Sequence, residues 1–148
     1  MLNNDFKEFI ELLQLNAVEF LVVGAHALAV HGRPRYTGDI DIWVRPEPDN
    51  FARLIKALDA FGFAALGVSA EDFMAPQAMV QLGCPPARID LLTSIDGVTF
   101  EDCFAHRLDV MISGTLLPVI SIDDLIRNKL ATGRAKDLVD VKSLRTSD

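Results

Sequence analysis

The run Phe20-Leu21-Val22-Val23 is apolar without a break, and Gly24 cuts it off just before the helix-forming stretch Ala25 to Val30. A short continuous apolar run bounded by a turn residue marks a buried strand, so the chain has to build a covered sheet around it. His31-Gly32-Arg33-Pro34-Arg35 then breaks the helix, because glycine and proline both oppose its continuation. A second extended segment follows at Asp39-Ile40-Asp41-Ile42-Trp43-Val44, where residue character alternates as it does along a strand. Strand, glycine turn, helix and strand in that order predict an α/β domain.

The remaining pattern agrees with that class. Asp5 is placed to cap a helix whose apolar residues Phe6, Phe9, Ile10, Leu12 and Leu13 recur at helical spacing and end near Asn16. After the proline-punctuated Arg45-Pro46-Glu47-Pro48, the residues Phe51, Leu54, Ile55, Leu58 and Phe61 mark an amphipathic helix ended by Gly62. Met79-Val80-Gln81-Leu82 and Arg88-Ile89-Asp90-Leu91-Leu92 predict a hairpin through Gly83-Cys84-Pro85-Pro86. A short helix is expected from Phe100 to Ala105, and an extended pair at Leu108 to Ile112 and Leu116 to Val119. Ser121-Ile122-Asp123-Asp124 resembles a capping box for a helix reaching about Leu130, and Lys136 to Leu144 is the last helix. No repeat or linker divides the 148 residues, half of them hydrophobic, so one domain over 1–148 with a core of its own is expected.

Charge and cysteine content narrow the function classes. The net charge is -7 and the pI about 4.8, which weighs against a broad electrostatic grip on nucleic acid or an anionic membrane and leaves only local basic clusters for phosphate. Cys84 and Cys103 form no C-x-x-C pair, so neither a disulfide framework nor a zinc knuckle is expected, and a reducing cytoplasm suits the chain. The first residues lack the layout of a signal peptide. The best apolar stretch, Ala17 to Val30, is interrupted by Glu19 and His26 and falls short of a membrane span. The expectation is a soluble cytoplasmic protein.

Residues two apart on a strand face the same side, so Asp39 and Asp41 present two carboxylates together while Ile40 and Ile42 face the core. Asp90 sits in another apolar strand, where a carboxylate needs a partner or a metal. If the three carboxylates meet, they form an oxygen-only donor set that suits magnesium. An isolated D-x-D is more often a pair of surface charges, with Asp90 then paired to a basic group. The glycine turn alters that balance: Gly24 opens a helix after a buried strand, a turn whose backbone N–H groups can meet phosphate.

From Phe20 through Gly24-Ala25-His26 to Thr37-Gly38-Asp39-Ile40-Asp41, with a later carboxylate at Asp90, the chain resembles the minimal nucleotidyltransferases of the DNA polymerase β superfamily. The stretch from Asn128 to Asp140 is similar to the basic helical ending of a toxin-antitoxin-related bacterial subgroup. The resemblance implies a mixed β-sheet flanked by helices, of the α+β type. It also implies transfer of a nucleoside monophosphate from a triphosphate, ATP or CTP, to an acceptor hydroxyl on a tRNA, a protein or a small molecule. Asp39, Asp41 and Asp90 take the catalytic, magnesium-binding places, with Asp90 completing the metal site or accepting the proton. Gly24, Ala25, Arg35, Thr37, Lys129 and Lys136, together with Arg134, are the implied triphosphate contacts. Ala25 stands where the family most often carries glycine or serine, so a hydroxyl contact is absent and the backbone N–H remains. His26, His31 and Trp43 are expected in supporting or packing roles.

Two other D-x-D enzymes fit less well. In haloacid-dehalogenase phosphatases the motif ends a buried strand, whereas here Arg35-Tyr36-Thr37-Gly38 precedes the acidic pair. A metal-dependent glycosyltransferase needs more chain for its two substrates. The remaining rival keeps the fold without turnover, as a nucleotide-binding or protein-interaction module of a toxin-antitoxin-like pair.

Overall fold

Strand β1 (Phe20–Val23) lies inside a six-stranded sheet with all of its residues buried, as its unbroken apolar sequence requires. The computed structural model describes residues 2–32, 38–63, 66–83 and 88–145. Around β1 run α1 (Asn4–Leu15), α2 (Gly24–Val30), β2 (Asp39–Val44), α3 (Pro48–Phe61), β3 (Met79–Leu82), β4 (Arg88–Leu92) and α4 (Phe100–Ala105). Then come β5 (Leu108–Ile112), β6 (Thr115–Val119), α5 (Ile122–Thr132) and α6 (Ala135–Arg145). The sheet order is β3-β4-β2-β1-β6-β5. Strand β1 is antiparallel to β2 and parallel to β6, β2 is parallel to β4, and the outer pairs β3/β4 and β5/β6 are antiparallel. The fold is therefore a mixed α+β one, as expected.

The core is where the sequence pattern put it. Phe9, Ile10 and Leu13 of α1, Leu54 and Leu58 of α3, and Ile40 and Ile42 of β2 are essentially inaccessible. Each such side chain contributes roughly 1.5–3 kcal/mol on burial. Phe9 meets Phe61 edge-on at 5.3 Å and so ties α1 to α3.

Caps account for the shifted helix boundaries. Asn3, not Asp5, caps α1: its side chain accepts the Asp5 N–H at 2.7 Å. Asparagine caps as well as aspartate does, and Asp5 then lies in the first turn, where the helix dipole favours its charge. Helix α3 begins at Pro48, because a proline in the first turn forfeits no intrahelical bond, and it ends at Gly62 with φ 101°. A 3-10 turn at Ala70–Phe73, not anticipated from periodicity, is closed by a capping box between Ser69 and Asp72, and it lays Phe73 against Phe51 at 5.7 Å.

Helices α5 and α6 are joined by a buried ionic cluster. Lys129 Nζ lies 3.0 Å from Asp140 Oδ2 and 3.4 Å from Asp137 Oδ1, and all three side chains are buried. Arg134 Nε and Thr132 Oγ1 also donate to Asp137. Burial alone would raise the Asp137 carboxyl, but the hydrogen bonds from Arg134 and Thr132 and the charges of Lys129 and Arg134 outweigh it and hold the carboxyl down at about 2. A carboxylate whose folded pKa is depressed stabilises the fold above its unfolded pKa of about 3.9 and loses that contribution as pH falls toward the folded value. The thermal midpoint is thus expected to drop between about pH 4 and pH 2, and Asp137→Asn to flatten that limb. Acid titration of melting by circular dichroism checks it, and an unchanged slope in the variant contradicts it.

Candidate functional site

The parallel register of β2 with β4 sets Asp39 opposite Arg88 and Asp41 opposite Asp90. Side chains alternate along a strand, so these four project from one face while Ile40, Ile42, Ile89 and Leu91 fill the other. Arg88 Nε and Nη2 donate to the two oxygens of Asp90 at 2.8 and 3.1 Å, and Nη2 also lies 3.0 Å from Asp39 Oδ2. Asp90, only 6% exposed, thus has the partner that a buried carboxylate needs. Sequence reasoning foresaw a need for such a partner but did not name Arg88. The signal was its place two residues before Asp90 on the same strand.

The face is electrostatically tense. Burial, then the charge of Asp90 and a hydrogen bond with it, and then Asp39, push the Asp41 carboxyl up to about 6, with Arg88 offsetting part of the rise. The hydrogen bond to Asp90 pushes Arg88 further up, so its guanidinium stays charged.

Gly24 closes the site from the β1 side. Strand β1 pairs with β2 so that Val23 faces Asp41, which brings the next residue against the carboxylate. With φ +69°, Gly24 leaves so little space that a Cβ there would stand 2.1 Å from Asp41 Oδ2. His26, from α2, sets its ring edge-on to Phe6 at 5.8 Å. Burial lowers its pKa, opposed by a hydrogen bond with the Asp39 backbone. His31 Nε2 lies 2.7 Å from the Ile120 carbonyl and fastens the end of α2 to the chain leaving β6. Trp43 is buried and meets Phe100 edge-on at 5.2 Å, a packing role.

The other expected contacts are dispersed. Arg35 and Thr37 lie outside the described residues, as does Cys84. Ala25 is half-buried at the start of α2, Lys136 and Arg134 are exposed on α6 and in the turn before it, and Lys129 is engaged by Asp137 and Asp140. Among the described residues no group of three or more His, Cys, Asp and Glu side chains converges closely enough to hold a metal ion. The chemistry of the donors nevertheless fits a hard divalent cation, since Asp39, Asp41 and Asp90 offer carboxylate oxygens alone on adjacent strands. Arg88 takes up the oxygens of Asp90 and one of Asp39.

An open cleft of about 640 Å³ lies elsewhere, lined by Pro46, Phe51, Phe73, Thr93 and Asp96 among others. Its lining residues follow the C-terminal ends of β2 and β4, and none of Asp39, Asp41, Arg88 and Asp90 is among them. Among the described residues no helix is long and apolar enough to cross a membrane.

A family model described as a nucleotidyltransferase of unknown function (DUF6036) matches residues 2–147. Two solved structures share the fold. One is a proposed nucleotidyltransferase from Thermotoga maritima, at TM-score 0.61 and 15% identity, covering 92% of this chain and 87% of that one. The other is a lincosamide antibiotic adenylyltransferase in its lincomycin-bound form, at TM-score 0.57 and 13% identity, covering 99% and 98%. No curated protein matches the sequence.

Proposed function

We propose, from the premise that this chain belongs to the DUF6036 family of nucleotidyltransferases, that it is a magnesium-dependent, single-domain cytoplasmic enzyme moving a nucleoside monophosphate from ATP or CTP to an acceptor hydroxyl. The observation that carries the reading is the β2/β4 register, which puts Asp39, Asp41 and Asp90 on one face beside the bare Cα of Gly24.

Asp39, Asp41 and Asp90 would hold the metal. Magnesium, when bound, offsets the triphosphate charge and stabilises the attacking and leaving oxygens. The acceptor oxygen attacks the α-phosphorus, the bond from that phosphorus to the bridging oxygen breaks, and pyrophosphate leaves. Asp90 either completes that metal site, lowering the pKa of the acceptor hydroxyl, or itself takes the hydroxyl proton. The backbone N–H groups of Gly24 and Ala25, with Arg35, Thr37 and Lys136, are the proposed phosphate contacts. For Lys129 to join them, a phosphate must reach its buried ammonium beside Asp137 and Asp140. The basic ending from Asn128 to Asp140 supports a place in the toxin-antitoxin-related subgroup, with a protein partner, and the acceptor is a tRNA, a protein or a small molecule.

Calorimetry of ATP and CTP, with and without magnesium, tests the reading on the wild type and on the double variant Asp39→Ala, Asp41→Ala. Binding is expected to require magnesium and to vanish in the variant. Undiminished binding there, or none by the folded wild type, sinks the catalytic reading. The grip of Arg88 on two of the three carboxylates and the missing hydroxyl at Ala25 favour a second reading, a nucleotide-binding or interaction module without turnover. Binding that ignores magnesium is the outcome that supports it.

A further inference from the structure

Arg88 occupies the carboxylate face in the manner of a bound cation. Its guanidinium presents a rigid fork, and that fork spans both oxygens of Asp90 while reaching Oδ2 of Asp39 on the neighbouring strand. Each of these contacts is charge-assisted, the stronger kind of hydrogen bond. A metal ion on the same carboxylates would draw on the same oxygen lone pairs, and it would sit within a few ångströms of a second fixed positive charge. Arginine does not shed its proton in proteins, so deprotonation cannot relieve the conflict and the charge of an incoming ion favours release of the side chain. The Arg88 side chain is 28% exposed, against 8% for its partner Asp90, so it is the more solvent-accessible member of the pair.

We propose that Arg88 is a resident counter-cation of this face, one that a divalent ion must displace from Asp39 and Asp90, so that Arg88 sets the metal concentration at which the site loads. The inference rests on the metal-site reading of Asp39, Asp41 and Asp90, and it adds to that reading a competitor built into the chain. In the metal-free protein Arg88 offsets part of the repulsion among these carboxylates. During loading it opposes the ion, which makes the site respond to magnesium over a higher range than three unopposed carboxylates would.

The test is titration of the full chain with magnesium alone, without nucleotide, by calorimetry, on the wild type, Arg88→Met, Arg88→Lys and the double variant Asp39→Ala, Asp41→Ala. Arg88→Met keeps the length of the stem and removes the charge. It is expected to bind magnesium about tenfold more tightly, the scale of losing one charge-assisted competitor. Arg88→Lys, which keeps a charge but cannot bridge both carboxylates as a fork, is expected to fall between the two. Metal-free Arg88→Met is also expected to melt below the wild type and to recover when magnesium is added. Equal or weaker binding by Arg88→Met, beside a wild type that does bind, overturns the inference and leaves the metal site standing. If Arg88→Met does not fold, binding by Arg88→Lys no tighter than wild type has the same force. Magnesium binding absent from the wild type and from both Arg88 variants overturns the metal reading itself, and the counter-cation with it.

Discussion

Replacing Lys129 by Met is expected to lower the stability of the protein by about 3–5 kcal/mol, the usual cost of breaking a buried ion pair by deleting one partner. Lys129 on α5 meets Asp137 and Asp140, which lie three residues apart on α6 and therefore on one face of that helix. All three side chains are buried, so the carboxylates left behind could not recover full hydration. Arg134 would still donate to Asp137, but its own side chain is 62% exposed, and solvent screens its charge. Arg134→Ala should accordingly cost no more than about 1 kcal/mol. Urea denaturation decides the matter: the Lys129→Met midpoint should fall with its slope unchanged, since the surface exposed on unfolding is the same. A loss below that of Arg134→Ala would mean that Lys129 does not hold the two helices together. If the folded variant also binds magnesium-ATP normally, Lys129 is excluded from the triphosphate contacts.

How much of this could be read beforehand depended on how local the cause was. β1 and β2 were legible because an unbroken apolar run and an alternating one each report burial directly, whereas the close approach of Gly24 to Asp41 depends on the pairing of β1 with β2 and was not. The acidic pair was legible because a spacing of two fixes a shared face on any strand. The bond of Arg88 to Asp90 is local and its signal was present in the sequence, whereas its second bond, to Asp39, depends on β2 lying beside β4, with α3, the 3-10 turn and β3 intervening. Lys129 misled for a similar reason. In sequence it belongs to a basic helical ending, and only the turn at Gly133, with φ 67°, folds α6 back so that Asp137 and Asp140 claim its ammonium. The cap fell on Asn3 instead of Asp5 because Asn3, Asn4 and Asp5 are all good capping residues, among which local propensity alone does not decide.

Gly24→Ala should damage the site directly, because two separate costs fall on one residue. The first is in the backbone: at φ +69° a residue with a Cβ is strained by about 1–2 kcal/mol. The second is contact, since the new Cβ would stand 2.1 Å from Asp41 Oδ2, far inside any tolerable separation, so that Asp41 or the start of α2 has to move. Asp41 faces Asp90 in the strand register, and displacing it takes apart the set of carboxylates proposed to hold the metal. Gly62→Ala separates the two costs: its φ is +101° and nothing lies within 4 Å of the added carbon, so it carries backbone strain without the collision. Both variants should lose stability on the scale of about 1–2 kcal/mol, Gly24→Ala somewhat more. Only Gly24→Ala should lose magnesium-dependent ATP binding, to the level of the Asp39→Ala, Asp41→Ala variant. Denaturation and calorimetry on the same samples separate the two effects. If Gly24→Ala binds like the wild type, the bare Cα beside Asp41 serves packing alone, and the carboxylate face loses its strongest geometric support as a nucleotide site.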